Sequence, residues 1–179
     1  MTRKDAVWTA GAFLLAAAVL LVVRLGLSGT AEANRAAEQQ SMMETMLPGA
    51  STFLPVDYDG EDENITAVWS GETGYVIETV VDGYAGPIRM WTGVSSDGTV
   101  TGLVVRDMGE TLGLGREALT DTGYLAELVG TDGTAEVGQD VDAITGATVT
   151  SRAIVRSVNS AAAYVTGADV STSATEWGG

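Results

Sequence analysis

The sequence predicts an α+β fold with a largely antiparallel sheet flanked by helices, placed behind a single N-terminal transmembrane helix. Three observations predict it. Runs of β-branched and aromatic residues follow one another between residues 65 and 107, divided by glycine-containing turns. Stretches with helical character stand at the two ends of this series. The first 30 residues hold one long uncharged apolar run.

That run extends from Ala6 to Val23, 18 residues without a charge. At about 1.5 Å per residue it is about 27 Å long, close to the hydrocarbon thickness of a bilayer. Arg24 can snorkel, which adds Leu25 to Leu27. Arg3 and Lys4 precede the run, so the positive-inside rule puts the N-terminus in the cytoplasm and the rest of the chain outside. The competing reading is a cleaved signal peptide with Ala31-Glu32-Ala33 as its processing site. The run exceeds the usual length of a signal core, which favours an anchor over residues 1–28. Residues 29–47 are alanine-rich and helix-prone, a stalk that Pro48-Gly49 ends. The folded domain then spans 48–166, and a small, polar, flexible tail spans 167–179.

Within the domain, Asp57, Asp59, Glu61, Asp62 and Glu63 read as a solvated loop. Their order does not fit a calcium-binding EF-hand. ITAVW, GYVIETVV, PIRMWTGVS and TVTGLVVRD follow as strands, the last two joined by a hairpin at Ser96-Asp97-Gly98. A helix is expected from Arg116 to Leu128 with Gly130 closing it, then a short strand from Ala135 to Val141. The last helix is expected over Ser151 to Val165, with Ser151 or Thr150 as its N-cap.

Composition removes whole classes of chemistry. The net charge is −15, which argues against nucleic acid as a partner. There is no cysteine and no histidine. That excludes thiol nucleophiles, iron–sulfur ligation by thiolate, attached c-type haem, histidine-based zinc sites and a Ser-His-Asp triad. A redox role therefore needs an organic cofactor.

Three motifs stand out. Gly83-Tyr84-Ala85-Gly86-Pro87-Ile88 precedes a strand and reads as a turn. Glu110-Thr111-Leu112-Gly113-Leu114-Gly115 lies between a strand and a helix. It has neither the third glycine of a dinucleotide fold nor a Walker lysine. Leu112 and Leu114 either flank a planar ring or belong to the core. The third motif, Asp142-Ala-Ile-Thr145-Gly146-Ala147-Thr148-Val-Thr150-Ser151, crowds hydroxyls at a helix start. Gly146 and Ala147 leave the approach to Thr148 uncluttered. A phosphate on Thr148 would meet the free N–H groups of the helix N-terminus. Thr145, Thr150 and Ser151 could donate to its oxygens, and Arg152 could offset its charge. Taken alone, the stretch is also readable as a threonine-rich loop with one cap.

Together, in this order, the three motifs resemble the FMN-binding domain of the G subunit of Rnf-type electron transport complexes. They also resemble its relative, the C subunit of the sodium-pumping NADH:quinone reductase. The resemblance covers roughly Met46 to Tyr164 and the N-terminal anchor, and the shorter chain favours the Rnf-type G subunit. It implies an FMN-binding domain carrying FMN covalently on Thr148 as a phosphoester, moved there from FAD by a separate flavin transferase. Asp142 and Thr145 fill the flavinylation signal, and Glu110 to Gly115 would lie near the isoalloxazine ring. The family often has a histidine before the second motif and a proline within it. Here Leu112 replaces the proline and the histidine is absent.

The implied role is an electron-carrying subunit of a membrane-bound, ion-translocating oxidoreductase complex. It would sit on the extracytoplasmic side of the cell membrane beside other membrane subunits, with no catalytic acid or base and no metal of its own. The alternative is a free-standing membrane-anchored flavoprotein that passes electrons to an external acceptor or reductase.

Overall fold

In the computed structural model of the chain, residues 32–109 and 121–167 are described. The chain divides into two compact units, Met1–Ser41 and Met42–Gly179. In the first, the described residues are helical and largely exposed. The helix, α1, runs over 32–46 and gives way to a turn at 47–49.

The second unit is built on a five-stranded meander. β1 (Leu54–Val56), β2 (Ile65–Ser70), β3 (Gly74–Asp82), β4 (Pro87–Ser95) and β5 (Val100–Met108) lie in sequence order, each antiparallel to the next. Two helices follow, α2 (Thr122–Glu127) and α3 (Thr148–Thr166). The period-2 alternation of the strands gives the sheet two covered faces. On one, Ile77, Val81, Ile88, Met90 and Val94 form the main core with Tyr124 and Leu128 of α2 and Ile154 and Val158 of α3. α3 lies across β3 and β4. This face also carries a polar contact, with Thr79 Oγ1 of β3 and Ser157 Oγ of α3 2.5 Å apart.

On the other face, Val76 and Trp91 pack with Met43 and Met46 at the end of α1 and with Leu47 just after it. Two paired glycines make this seat. A Cβ on Gly93 would lie 2.4 Å from the Met46 carbonyl oxygen, and one on its partner Gly102 would lie 3.0 Å from Met46 Cα. Thr101 Oγ1 donates to the same carbonyl at 2.6 Å. Glu78 sits between Trp91 Nε1, 2.8 Å away, Thr66 Oγ1 at 2.8 Å and the Arg89 guanidinium at 2.6 Å. Burial pushes its carboxyl up. The donors from Trp91, Thr66 and Arg89 outweigh burial and hold it below the usual carboxylate range.

Glu72, in the β2–β3 turn, accepts from the Ser51 and Thr52 backbone N–H groups at 2.9 and 3.2 Å. A bond from its own backbone N–H, followed by these two, brings its carboxyl down to about 2. A depressed folded-state value stabilises the fold above the ordinary value of 4.5, and this support disappears as pH falls through about 2. The stability difference between wild type and Glu72→Gln is therefore expected to be constant above pH 4.5 and to vanish towards pH 2. Urea unfolding in steps of pH checks this. A difference that persists unchanged at pH 2 would refute it.

Several expectations need correction. The transmembrane helix is not met: among the described residues, no helix is long and apolar enough to cross a membrane. The described N-terminal helix carries Glu32, Arg35, Glu38 and Glu44, and the apolar run from Ala6 to Leu27 lies outside the described residues. Helix α2 does not run through from Arg116. Asp121 starts it as N-cap, its carboxylate accepting from the N–H groups of Gly123 and Tyr124, and residues 116–120 lie outside the described set. Ala135 to Val141 is not a strand of the sheet. It folds back on itself through an isolated bridge between Val137 and Val141, with Gly138 at φ 90°. β1 was not expected. Its three residues include Pro55, which an edge strand tolerates. Finally, α3 starts at Thr148, three residues earlier than expected, and Ala147 is its N-cap.

Candidate functional site

The candidate site is the start of α3. Gly146, at φ 82°, is in the left-handed region, and no atom lies near its would-be Cβ, so only backbone conformation constrains the position. Ala147 closes a turn by donating to the Ile144 carbonyl at 2.9 Å and accepts the first helical bond, from Ser151 N–H at 2.8 Å. The N–H groups of Thr148, Val149 and Thr150 thus precede the helical hydrogen-bond ladder. Among the described residues no side chain caps them: the N-cap is an alanine, one of the least favoured residues there.

Ser151 and Thr150 are therefore interior residues, not caps. Both are fully buried. Ser151 Oγ accepts from Ile144 N–H at 3.3 Å, and its carbonyl accepts from the Tyr124 hydroxyl at 3.0 Å. Burial pushes the Tyr124 phenol up to about 12, so it remains a donor. The first bond ties the Asp142–Ala147 loop to α3, and the second ties α2 to α3. Asp142 itself is exposed, its N–H donating to Glu127 Oε2 at 3.3 Å. Thr145 is exposed.

A cavity of about 260 Å³ opens at this helix start, lined by Tyr84, Gly146, Ala147, Thr148, Val149 and Thr150. Among the described residues, four buried side-chain oxygens lack a hydrogen-bond partner, on Asp62, Thr92, Thr150 and Asn159, and of these residues Thr150 alone lines the cavity. Thr148 is exposed at the rim. Arg152, also exposed, follows one turn along the same helix face. An uncapped helix start, an exposed hydroxyl and an unpartnered buried hydroxyl together fit a phosphorylated ligand.

Of the residues read from sequence, the structure brings Gly146, Ala147, Thr148 and Thr150 to the cavity. Asp142, Thr145 and Ser151 are not among its lining residues. Glu110, Thr111, Leu112, Gly113 and Leu114 lie outside the described residues. Gly109, just before them, packs on the first motif: its N–H donates to the Pro87 carbonyl at 2.9 Å, and a Cβ on it would lie 3.1 Å from Gly86 Cα. Tyr84 and Val149 were missed by sequence reasoning. The signal for Tyr84 was an aromatic framed by glycines in the first motif. Among the described residues no group of three or more acidic side chains is placed to hold a metal ion.

The sequence profile of the FMN-binding domain family matches residues 83–163, the stretch that holds Tyr84 and the start of α3. The G subunit of the Na⁺-translocating ferredoxin:NAD⁺ oxidoreductase complex of Acetobacterium woodii is 30% identical over 170 residues, covering 81% of this chain and 82% of that protein. The G subunit of the ion-translocating oxidoreductase complex of Methanosarcina acetivorans is 33% identical over 164 residues, covering 84% and 87%. Its counterpart from Vibrio vulnificus is 36% identical over 104 residues, covering 52% and 49%. The chain belongs to the family of G subunits of ion-translocating oxidoreductase complexes.

Proposed function

We propose that this domain carries FMN as a phosphoester on Thr148 and serves as the electron-carrying subunit of an ion-translocating oxidoreductase complex. The observation that supports this reading most is the exposed Thr148 hydroxyl at the first position of an uncapped helix, on the rim of a cavity. When bound, FMN supplies the reversible redox chemistry.

The chain's own residues hold and orient. Thr148 Oγ forms the bond to phosphorus while the pyrophosphate bond of FAD breaks. AMP leaves, and the hydroxyl proton passes to a flavin transferase. The N–H groups of Thr148, Val149 and Thr150, at the positive end of the helix dipole, would hold the phosphate, and Arg152 would add a formal charge one turn on. Gly146 keeps the approach to Thr148 bare. On this reading Asp142 and Thr145 serve the transferase. No residue needs to move a proton during electron transfer.

The domain works beside membrane subunits on the extracytoplasmic side, where a covalent link retains a cofactor that no free pool would replace. The test is mass spectrometry of the chain produced together with a flavin transferase. The tryptic peptide 117–152 is expected to carry one FMN less water, with fragment ions locating it on Thr148. An unmodified peptide, or flavin on another residue, would overturn the reading.

A further inference from the structure

Tyr84 stands apart from the other tyrosines. Tyr58, Tyr75, Tyr124 and Tyr164 are buried or half-buried in the main core, whereas Tyr84 is 62% exposed. Its position is nevertheless fixed by backbone. Gly83 N–H donates to the Gly86 carbonyl at 2.9 Å, closing the turn that presents it. Gly86 and Gly109 approach so closely that a Cβ on Gly86 would lie 3.2 Å from Gly109 Cα. The turn is thus seated directly on the end of β5.

Tyr84 lines the same cavity as Thr148, from a different part of the chain. Four large hydrophobic residues are exposed among those described, Leu54, Tyr84, Val129 and Val149. Two of them, Tyr84 and Val149, belong to this cavity. The rest of its lining among the described residues is glycine, alanine and threonine, small residues that leave room for a flat ring. Apolar and aromatic walls with a few polar groups are the usual surroundings of a cofactor, and an aromatic side chain packs well against a planar π-system.

We infer that Tyr84 packs against the isoalloxazine ring of the flavin, with Val149 as a second apolar contact. The inference rests on FMN being held by Thr148. It gives Tyr84 a positioning role that can be read optically. A phenol in contact with an excited flavin lends it one electron and takes it back, so emission is lost and nothing is consumed.

The experiment compares flavin emission in wild type, Tyr84→Leu and Tyr84→Phe, each produced with a flavin transferase and normalised to FMN on the Thr148 peptide by mass. Emission of native wild type is expected to be several-fold below that of the same sample after proteolysis. Tyr84→Leu is expected to recover most of that emission. Tyr84→Phe, which keeps the ring but not the oxidisable phenol, is expected to recover emission while keeping the wild-type flavin absorbance band. Fully loaded Tyr84→Leu with wild-type emission would overturn the inference and leave the Thr148 anchor standing. Wild type without flavin on Thr148 would overturn the anchor, and the inference with it.

Discussion

Replacing Thr148 by alanine is expected to abolish covalent flavin and leave the fold intact. Thr148 is exposed at the first position of α3, and alanine is the better helix former. The unfolding free energy is therefore expected to stay within about 0.5 kcal/mol of wild type. Intact mass after co-production with a transferase reads the first effect, and denaturant unfolding of the flavin-free chains reads the second. The two readouts separate attachment from folding. A Thr148→Ala chain that still carries FMN would move the anchor to another hydroxyl. One that unfolds would mean that Thr148 supports the fold.

The second large effect runs the other way. Ile154→Ala is expected to cost about 2–5 kcal/mol, the usual range for truncating a large buried aliphatic residue. Ile154 is fully buried in the main core, on the face of α3 that meets the sheet. A single domain has only about 5–15 kcal/mol of stability in total, so the loss is a large share of it. Urea unfolding of the flavin-free chain measures it, and a cost under about 1 kcal/mol would contradict the packing described. Thr148 and Ile154 share one helix, yet their expected effects are opposite. One is expected to govern chemistry without stability, the other stability before chemistry.

The four long strands could be read from the sequence because their β-branched runs are bounded by strong turn signals. β1 could not, since it is three residues long and one of them is proline. The start of α3 was misplaced for a physical reason. Thr150, Ser151 and Ser157 look like surface or capping residues, but all three are buried. Ser157 finds a hydroxyl partner in Thr79 across the interface, and Ser151 takes the Ile144 N–H. Hydroxyls paired in this way occupy a core face that apolar periodicity does not reveal. The break before α2 was readable in principle, because Asp121-Thr122-Gly123 carries an N-cap signal. Asp140 accepts from the Glu136 N–H, the local turn chemistry that diverted Ala135 to Val141 from the sheet.

The site divides in the same way. Gly146, Ala147 and Thr148 are adjacent in sequence, so their grouping was visible there. Tyr84 joins them only because the meander and α3 bring segments more than 60 residues apart together, and no local pattern encodes that.

The alanine N-cap has one more consequence. A helix that begins without a side-chain cap is prone to fray over its first turn. On the proposed reading, an anionic phosphoester at Thr148 supplies what the sequence withholds, at about 0.3–1 kcal/mol for a charge beside a helix terminus. The cofactor would then be the N-terminal cap of α3, and attaching it would add to the stability of the domain as well as to its chemistry.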